Sequence, residues 1–97
     1  MFETMADVRA ANKAIGHHWF SPGAKTFFRS RVGRTLYGGR YFISSEQFSE
    51  RAPRLYTIRE VSHDGQIRTV GTFQQYRDAE SARNEIKNML ARGWGNE

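Results

Sequence analysis

The side chains able to do chemistry fall into five groups, and four of them lack the spacing or the surroundings that their chemistry needs. His17 and His18 are adjacent, so on a regular element they point apart, and His63 lies far along the chain in His63-Asp64-Gly65. Zinc wants three or four convergent ligands, which these histidines do not supply, so no metal and no cofactor is expected. The serines at 21, 30, 44, 45, 49, 62 and 81 stand outside any nucleophile-elbow context. Gly23-Ala24-Lys25-Thr26 ends like a phosphate-binding loop but lacks the upstream glycine and the Gly-Lys adjacency that cradle phosphates. Glu46 and Glu50 could pair as acid and base on a helical turn, provided one of them were desolvated. They sit in the most polar stretch of the chain beside Arg51 and Arg54, which predicts solvated loop carboxylates. No enzyme is expected.

The fifth group is basic. Lys25, Arg29, Arg31, Arg34 and Arg40 are interleaved with Phe27, Phe28, Tyr37, Tyr41 and Phe42. Arginine offers bidentate bonds to phosphate or carboxylate, and aromatic rings offer stacking faces, which is the chemistry of nucleic-acid surfaces. The candidate partner-binding face is therefore Arg29, Arg31, Arg34 and Arg40, with Lys25 at its edge and Tyr37 as a stacking ring. The competing reading makes the aromatics core and the arginines a solvated face, neutralised by Glu46, Glu50 and Glu60. Phe27, Phe28 and one of Tyr41 or Phe42 are expected in the core.

Charge patterning sharpens the first reading. Residues 1–7 carry two acids and no base, residues 8–45 carry seven bases and no acid, and residues 46–97 carry eight of each. The whole net charge of +5 thus resides in the first half, a local field that suits an acidic partner. With 97 residues the chain is expected to be one domain, because a second core needs roughly 50 more. No apolar run reaches the roughly 18 residues of a membrane span, and the N-terminus lacks a basic-then-apolar leader pattern. The absence of cysteine removes disulfides and thiolate chemistry and fits a reducing compartment.

Local signals then set the elements. Thr4 to Gly16 reads as a helix: Thr4 and Asp7 match a capping box, and Met5, Val8, Ala11 and Ile15 share one face. Ser21-Pro22 opens a short second helix to about Arg29. From Val32 the period becomes that of strands. Gly38-Gly39 marks a hairpin between the run ending at Tyr37 and the run from Tyr41, where Tyr41 and Ile43 share one face and Phe42 and Ser44 the other. Glu46 to Pro53 reads as a loop. Leu55 to Ser62 and Gln66 to Tyr76 form a second hairpin about His63-Asp64-Gly65, and Asp78 caps a helix with Ala79, Ala82, Ile86, Met89 and Leu90 inward, closed by Gly93. The expected fold is α+β: a four-stranded antiparallel meander, with an N-terminal helix, a short second helix and a C-terminal helix gathered on one face.

The run from Gly16-His17-His18-Trp19-Phe20-Ser21-Pro22 through Phe27-Phe28-Arg29-Ser30-Arg31-Val32 and Tyr37-Gly38-Gly39-Arg40-Tyr41-Phe42-Ile43 resembles a family of small uncharacterised proteins of phages, plasmids and other mobile elements. Arg54-Leu55-Tyr56-Thr57-Ile58-Arg59-Glu60-Val61 and Val70-Gly71-Thr72-Phe73 continue the likeness. That resemblance implies a non-enzymatic accessory factor in the cytoplasm of a bacterial host. Its leading form is an anti-CRISPR-type inhibitor that sets a basic face on the acidic surface of a Cas protein or other defence complex. The alternative is a nucleic-acid-binding accessory or regulatory protein.

Overall fold

The computed structural model describes residues 2–20, 30–70 and 76–92. Helix α1 spans Met5–Ala14, strands β1 to β4 span Arg31–Val32, Tyr41–Glu46, Leu55–Val61 and Ile67–Thr69, and helix α2 spans Ala79–Ala91. The strands pair antiparallel in the order β1-β2-β3-β4. This is the α+β meander expected from the sequence. The short second helix expected over Pro22 to Arg29 lies outside the described residues, as do Phe27, Phe28 and Gly93.

Both helices start where their caps require. The Thr4 side chain accepts from the Asp7 amide while the Asp7 carboxylate accepts from the Thr4 amide, which answers two of the donors orphaned at a helix start. At the start of α2 the Asp78 side chain accepts from the Ser81 amide. Gly38 and Gly39 both take positive φ, at 60° and 70°, as the hairpin demands. The loop is nevertheless three residues long, because Tyr37 bridges Tyr41 and Arg40 belongs to the turn.

The helices do not gather on one face. Tyr41 and Ile43 of β2 pack with Ile58 and with Ala82, Ile86 and Met89 of α2. Phe42, the intervening residue, packs on the other side with Val61, Ile67, and Met5 and Val8 of α1, joined by Trp19 and Phe20. A strand's side chains alternate between faces, so a strand with apolar residues at consecutive positions needs a cover on each side. Both Tyr41 and Phe42 are therefore core, in different clusters. Helix α2 lies over the central pair β2 and β3 and not over the last two strands.

One further sequence expectation is corrected. The inward face of α1 continues from Met5 and Val8 to buried Asn12, while Ile15 is 46% exposed. Of the returning strand expected from Gln66 to Tyr76, Ile67–Thr69 pairs with β3 and Tyr76 bridges Tyr56, while residues 71–75 lie outside the described residues.

Candidate functional site

All six residues of β2 are buried, and the last three, Ser44, Ser45 and Glu46, are polar. Buried polar groups need partners, and here two arginines supply them. Arg59 donates from Nε to Ser44 Oγ at 2.9 Å and from Nη2 to Glu46 Oε1 at 3.0 Å, and it also donates to Thr69 Oγ1. Thr57 donates its hydroxyl to the same Glu46 oxygen at 3.1 Å. Arg54 donates from Nη1 to Ser45 Oγ at 3.0 Å and to the Ser45 carbonyl at 3.2 Å. The indole of Trp19 lies against the Arg59 guanidinium, 5.4 Å from ring centre to Cζ.

Glu46 is thus no solvated loop carboxylate. It ends β2 at 6% exposure, whereas Glu50 is exposed in the following turn, so the two do not form an acid–base pair. The second carboxylate oxygen of Glu46 is buried and has no hydrogen-bond partner among the described residues.

The cross-strand registers line up Arg31, Ser45, Tyr56 and Tyr76 in one row across the sheet, on the α2 side. At the β1 end of this row a cleft of about 340 Å³ opens between the strand edges and the first turns of α2. Four arginines line it: Arg31, Arg34, Arg54 and Arg83. Tyr37 and Tyr56 are part of the lining, with the hydroxyl-bearing Thr35 and Ser45. Among the described residues no carboxylate lines it.

Arg31, Arg34 and Arg83 are exposed, and among the described residues none of them forms a salt bridge. Arg83 acts through space on Asp78, where it adds a small pull to the hydrogen bonds from Ser81 that hold that carboxyl below the usual range. Concentrated positive charge beside low-dielectric walls focuses the field into the cleft and favours an anion there. Guanidinium groups add directional, bidentate bonding to phosphate or carboxylate oxygens.

The residues expected from the sequence divide accordingly. Arg31, Arg34 and Tyr37 come together in the cleft. Arg40 does not line it, and its Nε pairs with Glu60 at 3.2 Å, the neutralisation that the competing reading foresaw. Lys25 and Arg29 lie outside the described residues. Arg54, Tyr56 and Arg83 were missed because they come from the charge-balanced second half of the chain. Only the strand register and the position of α2 bring them beside the acid-free segment. Among the described residues no three histidine, aspartate or glutamate side chains converge as metal ligands, and no helix is long and apolar enough to cross a membrane.

A family model described as a family of unknown function (DUF7447) matches residues 4–87. No curated protein and no solved structure matches the chain.

Proposed function

Since the chain belongs to the DUF7447 family, whose function is unknown, we propose a function from the cleft itself: a small non-enzymatic accessory protein that binds a polyanionic partner, in the first place a nucleic acid. The observation that carries this reading is the acid-free lining of four arginines with two tyrosines. Guanidiniums neutralise phosphates, and aromatic rings beside them offer stacking faces to bases.

A second reading keeps the same cleft for the acidic surface of a bacterial defence protein such as a Cas effector. It is favoured by the resemblance to small proteins of phages and plasmids, and by Phe48, 55% exposed in the loop after β2, an aromatic of the kind that anchors protein interfaces. Both readings place the protein in the bacterial cytoplasm.

Anisotropy titrations with labelled DNA and RNA at two salt concentrations test the first reading. Binding through phosphates must weaken steeply as salt rises, because each neutralised phosphate releases counterions. Arg31→Glu with Arg34→Glu should abolish it with little change in Tm, while Arg40→Glu, outside the cleft, should leave it nearly intact. Absence of salt-sensitive binding, together with capture of a defence complex that the double variant loses, would transfer the cleft to the second reading.

A further inference from the structure

We propose that the cleft takes single-stranded nucleic acid, seating about one nucleotide with its phosphate on the arginine rim and its base against a tyrosine ring. This rests on the nucleic-acid reading above and adds to it the strandedness of the partner. The lining is graded in depth. Arg31, Arg34 and Arg83 are exposed, Tyr37 and Tyr56 are half-buried with part of each side chain against the α2-side core, and Ser45 beneath them is buried. A phosphodiester would thus meet guanidiniums first, and whatever hangs from its sugar would reach the phenol rings. The row Arg31–Ser45–Tyr56 is set by strand register, so the positions of Arg31 and the Tyr56 ring are fixed relative to each other.

A duplex cannot use this arrangement. Its bases are paired and stacked inside, so it presents phosphates to the rim but no ring face to the tyrosines. The described elements beside the cleft are short or packed on the core. β1 is two residues long, and α2 commits Ala82, Ile86 and Met89 to the sheet. The volume of about 340 Å³ is that of a site for one small unit and not a channel for a double helix.

The test uses four probes with the full chain: fluorescein-labelled oligo-dT, an abasic strand of the same length, a duplex, and polyglutamate as competitor. Oligo-dT should bind at least about fivefold more tightly than the abasic strand, the gain expected from stacking one base. It should also bind more tightly than the duplex at equal salt. Tyr56→Leu and, separately, Tyr37→Leu should each be compared with the Phe variant, and loss of the oligo-dT advantage on removing a ring while Phe preserves it would support stacking. The abasic comparison needs no mutation and holds even where a leucine variant misfolds. Equal binding of oligo-dT and duplex, or of oligo-dT and the abasic strand, would overturn the single-strand inference and leave nucleic-acid binding standing. Failure of every nucleic-acid probe, or stronger competition by polyglutamate, would overturn both.

Discussion

The side-chain amide of Asn12 donates to the carbonyl of Gly65 at 2.9 Å, tying the third turn of α1 to the hairpin between β3 and β4 across 53 residues of sequence. The same Asn12 accepts from the Trp19 amide at 2.8 Å and donates to His17 Nδ1 at 3.1 Å. The backbones themselves meet here: a Cβ on Gly65, whose φ is 103°, would stand 2.8 Å from the Ala11 carbonyl carbon. Asn12→Ala should strand a buried carbonyl and an amide, costing about 2–3 kcal/mol. At about 4–8 °C per kcal/mol for a domain of this size, Tm should fall by about 10–20 °C in a thermal melt. Gly65→Ala should destabilise as well, by strain and by forcing α1 off the hairpin, and a variant that melts with the wild type would contradict the contact.

Arg59 and Glu46 offer a double-mutant test. Their side chains are 17% and 7% exposed, so removing the cation leaves a nearly buried carboxylate alone. Arg59→Met should cost about 3–5 kcal/mol in urea denaturation. Adding Glu46→Gln to it should recover part of that loss, because the residual charge is gone. Additive single-variant effects would mean that the pair is not coupled.

Ile86 is fully buried between α2 and the β2–β3 pair. Ile86→Asp would place an unpaired carboxylate there and should cost roughly 3 kcal/mol or more, enough to leave a domain this small largely unfolded. Circular dichroism reads the outcome directly, and a cooperative melt near that of the wild type would remove α2 from the core.

Acid should weaken the fold partly through its caps. Hydrogen bonds from the Ser81 amide and hydroxyl hold the Asp78 carboxyl below the ordinary aspartate range, and a bond from the Ser62 hydroxyl followed by one from the Gln66 amide does the same for Asp64. A depressed folded-state value means that the unfolded chain binds the proton first. The stabilisation is therefore complete above the ordinary aspartate range and is lost as pH falls through the lower folded values. Asp78→Asn keeps a good N-cap without a titrating group, so its Tm should fall less between pH 5 and about pH 2 than that of the wild type. An identical acid limb in both proteins would show that the cap titrates as in the unfolded chain.

What could be read in advance was what local chemistry decides. Thr4 with Asp7, Asp78, the glycines at 38 and 39 and the meander order all follow from short-range rules, and the structure has each. Long-range facts were harder. Glu46 reads as a loop residue because its neighbours are polar, and only Arg59, brought opposite by the pairing of β2 with β3, allows it to be buried. Asn12 interrupts an apolar helix face, and its reason to be buried lies on a distant hairpin. For the cleft, the acid-free stretch pointed to Arg31, Arg34 and Tyr37. The other half of the lining comes from residues whose own surroundings in sequence are electrically neutral.

Because β2 is covered on both sides, Phe42 and Ile43 are chain neighbours that belong to separate cores. Those cores share one wall, a single thickness of hydrogen-bonded backbone. Loosening either side leaves the wall standing while the other remains filled, so the two helices constitute distinct opening units. Amide protons of β2 and β3 should outlast those of either helix in deuterium exchange, since their release requires both sides to give way. The cleft lies on the α2 side alone, so its walls can adjust to an occupant while the Asn12–Gly65 clasp and the aromatic cluster of Trp19, Phe20 and Phe42 keep the sheet in shape from behind.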